Sequence, residues 1–307
     1  MIAWNEVLRV GYNASREAAW WRSPEATVAQ FQSPKPGRTS VALWAIADDL
    51  PVGAAEAHVD PDEPAEVEIS VIQDRRREGI GRALAGAVRE ALAGAAGVVQ
   101  AETYCIEGVE FARAHGMAVG NQEWRQLLDL PVPPQRLVEL GQPSVGVEIR
   151  SWCGPCPDEL VDDWATLVTR MDADVPMGEL TRTSAATNVA TVRQNEQRTR
   201  DHGNLLVRSL AQVDGKSVGY TEMFASLHGS QVVSQDDTFV DRGYRCRGIG
   251  RAMKVANLSN LMSIPEAQSA RWVQTYTAVA NTPMLALNKA LGFRVADMMT
   301  VLEGRAV

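Results

Sequence analysis

The sequence predicts an α+β protein built from two tandem copies of one unit, each a mixed, mostly antiparallel sheet flanked by helices. Three observations predict it. A glycine motif occurs twice at an offset of 169 residues, as Arg76-Arg77-Glu78-Gly79-Ile80-Gly81-Arg82-Ala83 and as Arg245-Cys246-Arg247-Gly248-Ile249-Gly250-Arg251-Ala252. Each copy lies between a strand-like and a helix-like run. The landmarks around both copies keep one order: helix, hairpin, strand, glycine loop, helix, strand, helix.

The elements follow in turn. Residues 41–46 and 52–56 alternate as a hairpin across a polar turn, and residues 205–210 and 218–222 do the same across Asp214-Gly215. Residues 83–95 and 252–262 have helix-forming composition directly after the glycine pair. Residues 98–103 and 271–277 are strand-like, and residues 111–117 mirror 287–293. A helix over 283–291 starts at Thr282-Pro283 and stops at Gly292. Trp20-Trp21-Arg22 is placed on the first helix as a packing contact. The prolines of Pro131-Val132-Pro133-Pro134 and Gly141-Gln142-Pro143 predict an extended connector. The division is therefore set near residue 145, giving domains 1–144 and 145–307. Only Met1-Ile2-Ala3 precedes the first helix-like run, so the first domain reads as an incomplete partner and the second as the working copy.

Bulk properties narrow the function. The 307 residues carry a net charge of -8, with 45% hydrophobic and 22% charged residues, which suits two ordinary globular domains. An acidic chain has no general electrostatic reason to bind nucleic acid or an anionic membrane surface. No apolar run reaches membrane-spanning length, and the N-terminus lacks a secretion signal, so a cytoplasmic location is expected. The four histidines lack metal-ligand spacing, so no metal is expected. Trp152-Cys153-Gly154-Pro155-Cys156 matches the thioredoxin pentapeptide. The reading as a Gly-Pro turn opening a helix is preferred to a redox dithiol, because nothing else in the chain supports redox chemistry.

The glycine loops carry the chemistry. Glycine lets the backbone adopt left-handed angles and approach a ligand closely. A helix start offers unpaired N–H groups and the positive end of the dipole. Joined, they suit a pyrophosphate. The missing third glycine argues against a dinucleotide fingerprint.

On these motifs each half resembles the GNAT superfamily of N-acetyltransferases, with its Arg/Gln-x-x-Gly-x-Gly/Ala signature after the fourth strand. The tandem layout resembles actinobacterial tandem GNAT proteins, mycothiol synthases among them, although no motif assigns that substrate. The resemblance covers most of the chain and is strongest over residues 238–293. It implies acetyl-CoA, or another acyl-CoA, as co-substrate and a small-molecule amine as acceptor, and it allows a homodimer. Transferred by position, Val240, Arg245, Cys246, Arg247, Gly248, Ile249, Gly250, Arg251, Asn281 and Asn288 would contact the cofactor, with Arg76, Gly79 and Gly81 corresponding in the first half.

Amine attack on a thioester needs a base for the ammonium and benefits from an acid for the thiolate. The resemblance implies an acidic base on the fourth strand, here Asp236 or Asp237. A regular strand points these two to opposite faces. The family's tyrosine acid is replaced by Asn288, which cannot supply a proton as tyrosine could, so either the thiolate leaves as such, or another group such as Tyr276 acts, or this domain is not catalytic. A natural-product or resistance role, a non-catalytic CoA sensor, and a carrier-protein or aminoacyl donor are further readings.

Overall fold

The structure is a computed structural model that describes residues 1–142, 145–175, 178–182 and 186–305. In chain order its elements are α1 (Ile2–Asn13), α2 (Pro24–Gln32), β1 (Thr39–Ala47), β2 (Leu50–Val59), β3 (Ala65–Val71), α3 (Ile80–Ala91), β4 (Val98–Thr103), α4 (Ile106–Ala114), β5 (Ala118–Asp129), α5 (Pro134–Leu140) and β6 (Val147–Cys153). Then come α6 (Val161–Asp172), α7 (Val189–Asp201), β7 (Asn204–Val213), β8 (Lys216–Ser226), β9 (Val232–Val240), α8 (Ile249–Met262), β10 (Trp272–Ala278), α9 (Thr282–Leu291) and β11 (Arg294–Arg305). The α+β plan holds.

By contacts the chain forms two units. One joins Met1–Trp124, Met177–Thr183 and Ala296–Val307; the other joins Arg125–Pro176 and Ser184–Val295. Neither is a continuous stretch of sequence. β5 passes from the first unit to the second at Trp124/Arg125, and residue 145 lies within the first segment of the second unit.

In the first unit the strand order is β1-β2-β3-β4-β11-β5. Among these, β3 and β4 run parallel, through Ala65↔Val99 and Glu66↔Gln100. Small residues on β2 let helices close on both faces. Ala54 packs with Trp4, Val7 and Leu8 of α1, while Ala55, Ala57 and Val59 pack with Leu84 and Val88 of α3. The Trp4 indole N–H donates to Leu43 O at 2.8 Å, so the buried ring leaves no orphan donor. Trp20-Trp21-Arg22 lies after α1 rather than on it, because the helix ends at Asn13. Trp21 donates from its indole to Asn5 Oδ1 at 3.0 Å.

In the second unit the order is β5-β10-β9-β8-β7-β6. Trp164 and Leu167 of α6 and Val192 of α7 pack on Leu210, Tyr220 and Phe239. Ile249 and Met253 of α8 pack in a separate cluster with Ala211, Val213 and Val218, which covers the other sheet face. The proline-rich connector is a correction: residues 134–140 are helical. Pro134 occupies the first turn, where its missing N–H costs nothing. The turn is retained because Leu137 and Val132 are buried in the core with Val255 and Leu258. Pro143 of the predicted connector lies outside the described residues.

Candidate active site

After β9 ends at Val240, a 3-10 turn spans Arg242–Tyr244 and α8 begins at Ile249. Between them Cys246 takes φ +62° and Gly248 φ +71°. The first unit repeats this backbone, with Arg77 at +68° and Gly79 at +85° before α3. Gly248 caps α8 without a side-chain hydrogen bond, so the first-turn N–H groups and the positive dipole end stay open. The second glycine of each pair serves packing. A Cβ on Gly250 would lie 3.2 Å from Leu287 Cδ1 and 3.7 Å from Val240 Cγ2. On Gly81 it would lie 3.2 Å from Phe111 Cε2 and 3.8 Å from Val71 Cγ2.

Arg245 donates from Nε to Val240 O at 2.9 Å, as Arg76 does to Val71 O at 3.2 Å. Its Nη2 meets Asp174, which also accepts from Arg242 Nε at 2.8 Å. Asp174 lies in the sequence Met171-Asp172-Ala173-Asp174-Val175-Pro176-Met177-Gly178-Glu179, of which Pro176 and Met177 lie outside the described residues. Its surroundings push its pKa upward, but the two guanidiniums outweigh them and hold it below the ordinary value. Among the described residues, Arg251 Nε is buried without a hydrogen-bond partner. A Cβ on Gly248 would meet only Arg251 Nη2, at 3.6 Å. An open helix start, free space over the glycine and an orphaned guanidinium N–H fit a bound pyrophosphate. Arg247 stands 5.8 Å from the Tyr244 ring, and the Cys246 thiol is exposed. Asn281 caps α9, accepting from Met284 N at 3.3 Å.

Above this loop the strands part. β9 and β10 pair in parallel only through Trp272↔Val232, Val273↔Val233 and Gln274↔Ser234, and both continue beyond. Directly after the last pair β9 bulges. On β8 and β9, Met223 pairs with Gln235 and Thr221 with Thr238, so Asp236 and Asp237 stand opposite the single residue Glu222. The extra residue breaks the alternation that would send the aspartates to opposite faces. Oxygens of Glu222, Asp236 and Asp237 lie within 4.8 Å of one another. Gln235, 2% exposed, holds the bulge by donating to Glu222 O at 2.7 Å and Asp237 O at 3.2 Å.

The three carboxylates differ in their partners. Asp237 Oδ2 accepts from the Tyr220 hydroxyl at 2.7 Å. Burial and then the Asp237 charge drive that phenol far above its usual range. Glu222 accepts from Arg208 Nε at 2.7 Å. Asp236 is surface-accessible, yet the protein packed around it, and then the Asp237 and Glu222 charges, push it well above the ordinary carboxylate range. A carboxylate whose pKa is raised in this way holds a proton more firmly than an ordinary one, which suits a base.

Between α8, α9 and β10 lies a buried polar group. Asn288 is fully buried and accepts from Lys254 Nζ at 2.9 Å. Its Nδ2 donates to Gln126 Oε1 at 2.9 Å and Thr277 Oγ1 at 3.2 Å. Lys254 is 2% exposed, and burial lowers its pKa to about 7. Sequence reading passed over Lys254, although it shares a helix stripe with Gly250 and Leu258. Tyr276 is half-buried on β10, past the last residue paired with β9.

The cysteine motif is a turn. Gly154 takes φ +83°, Cys153 is exposed, and Cys156 is buried with its N–H on Glu196 Oε1 at 2.8 Å. Burial raises Cys153 and pushes Cys156 up to about 12, the opposite of an activated thiolate. In a thiol titration of the native protein at neutral pH, Cys105, Cys153 and Cys246 should react and Cys156 only after denaturation. Rapid labelling of Cys156 would revive the redox reading.

The first unit differs at the corresponding strand. β2 and β3 stay in unbroken register from Gly53↔Val71 to His58↔Glu66, so Glu68 faces Glu56 without a bulge. Burial and then Glu56 push Glu68 up to about 8. Cys105 caps α4 without a side-chain bond, where Asn281 caps α9 with one.

A phosphate-suited loop beneath two parting parallel strands, repeated in each unit, defines the class as a tandem N-acyltransferase of the GNAT kind. The chain matches no family model. It is 32% identical over 254 residues to the mycothiol acetyltransferase of Clavibacter sepedonicus, covering 81% of this chain and 75% of that protein. The mycothiol acetyltransferase of Clavibacter michiganensis subsp. michiganensis is 31% identical over 256 residues, with the same coverage. A tandem GNAT protein from the clavulanic acid biosynthesis pathway shares the fold at TM-score 0.78 and 23% identity, over 100% of this chain and 95% of that one. A GCN5-related N-acetyltransferase from Sphaerobacter thermophilus does so at TM-score 0.68 and 18% identity, over 99% and 92%. The chain belongs to the tandem GNAT N-acetyltransferases, the family that includes the mycothiol acetyltransferases. Members use an acyl-CoA co-substrate and a small-molecule acceptor. Among the described residues no helix is long and apolar enough to cross a membrane.

Proposed function

We propose that the chain moves the acetyl group of acetyl-CoA, or a related acyl group, to the amine of a cationic small molecule in a ternary complex, using its second unit. The observation that carries this reading is the β9 bulge, which gathers Asp236, Asp237 and Glu222 where β9 leaves β10. Three carboxylates attract a cationic amine. Asp236 is the base: it takes the ammonium proton as nitrogen attacks the thioester carbonyl. The loop from Arg245 to Arg251 receives the pyrophosphate, with Val240 and Asn281 beside the pantetheine arm. The first unit lacks the bulge and the asparagine cap, which supports a partner role for it. A place in natural-product biosynthesis or resistance accords with the tandem layout.

The test is CoA-thiol release from acetyl-CoA across an amine panel. Gly248→Asp/Gly250→Asp puts one carboxylate at the open start of α8 and a second at the packed glycine behind it, and should abolish turnover and CoA binding. Gly79→Asp/Gly81→Asp should leave turnover within about tenfold, since the second unit is unaltered. Loss only with the N-terminal pair would transfer the chemistry to the first unit. CoA binding without release, for any amine, would return the sensor reading.

A further inference from the structure

We propose that Lys254 is the acid that protonates the sulfur of coenzyme A as it departs, a role that rests on the acyl-CoA-dependent transfer proposed above. Position carries the inference. A Cβ on Gly250 of α8 would meet Leu287 of α9 and Thr238 and Val240 of β9. One turn further along α8, Lys254 reaches α9 at Asn288, and Asn288 reaches Thr277 of β10. Thr277 lies three residues beyond the last β9–β10 pair. The ammonium therefore sits where α8, α9 and β10 meet beside the parting strands. The Lys254 backbone is six residues along α8 from Gly248, about 9 Å at 1.5 Å per residue, a span that an extended pantetheine arm covers.

Chemistry agrees with position. No carboxylate among the described residues pairs with Lys254, and a buried cation without a counter-ion is costly to keep. The groups at its head are neutral: Asn288, through it Gln126 and Thr277, and the Phe293 ring 5.5 Å away. An ammonium has three N–H donors, and Asn288 takes one. Burial alone brings Lys254 down to about 7, so its proton is released readily near neutral pH. Asn288 has no proton to give, and the Tyr220 phenol is tied to Asp237. In the step, the N–C bond forms, the C–S bond breaks and its electron pair goes to sulfur. A Lys254 proton joins that sulfur to give the free thiol. The acceptor ammonium loses one proton to Asp236 as it attacks and a second to solvent as the amide forms, Asp236 passes its proton on to solvent, and the neutral lysine regains one from solvent.

The test uses the full-length protein and CoASH, with thiolate absorbance followed against pH. In wild type the bound thiol should titrate about one unit or more lower than in Lys254→Met, because a neighbouring cation favours the thiolate. Lys254→Arg keeps the charge but holds its proton at all accessible pH. It should retain the thiol shift yet lose turnover ~10²–10⁴-fold, as Lys254→Met does. An identical thiol titration in wild type and Lys254→Met overturns the proposal, as does full turnover in Lys254→Arg. Tight CoASH binding with active wild type separates either outcome from failure of the acyl-CoA reading, in which CoASH would not bind at all.

Discussion

Asp236→Asn is expected to lower acetyl transfer by ~10²–10⁴-fold, the usual contribution of a positioned base, while CoA binding stays unchanged. The bulge sets Asp236 and Asp237 against Glu222, and each has a different occupation. Asp237 accepts the Tyr220 hydroxyl and Glu222 accepts Arg208, which leaves Asp236 to take a proton. Its raised pKa gives the pH dependence its sign. The base works only when ionised, so the wild-type rate should climb with pH through the raised value, then fall again as Lys254, lowered to about 7, loses its proton. Asp236→Asn should lose the rising limb and keep the falling one. Glu222→Gln removes one repelling charge, so the rising limb should move to lower pH. Steady-state rates from acid to neutral pH decide the matter; full activity in Asp236→Asn would sink the assignment.

The aspartate pair also marks how far the sequence could be read. The glycine loops, the hairpins, β10 and α9 follow from local signals: turn residues, alternation, a proline at a helix start and a glycine at its end. The bulge does not. Ser234-Gln235-Asp236-Asp237 reads as a regular strand, and only the register with β8 reveals that two residues oppose one. The placement of β11 was equally hidden, because its partner β4 lies some two hundred residues away in the chain. α5 was misread because proline composition was weighed without the buried Leu137 that holds the turn in place. Lys254 left a legible trace, a lone charge on an apolar helix stripe, which periodicity flags but cannot interpret.

Arg208→Ala is expected to destabilise the second unit by about 3–5 kcal/mol, the cost of breaking a buried ion pair from one side. The Arg208 side chain is 5% exposed. Its Nη1 donates to Glu196 Oε1 at 2.5 Å, its Nε to Glu222 Oε2 at 2.7 Å, and the guanidinium stacks 4.6 Å from the Trp164 ring centre. Glu196 is itself 4% exposed and also accepts the Cys156 N–H at 2.8 Å and Arg193 Nη1 at 2.8 Å. Removing Arg208 thus leaves one carboxylate buried with less compensation, and unpairs a second beside Asp236. Arg208→Lys should rescue little, because an ammonium cannot reproduce the planar fork that serves both acids and the indole at once. Urea unfolding followed by tryptophan fluorescence should show a transition moving to lower denaturant, with wild-type midpoints in Arg208→Ala overturning the account. The same variant couples stability to chemistry. With Glu222 no longer neutralised, the repulsion on Asp236 grows, so its remaining activity should begin at higher pH than in wild type, opposite in direction to Glu222→Gln.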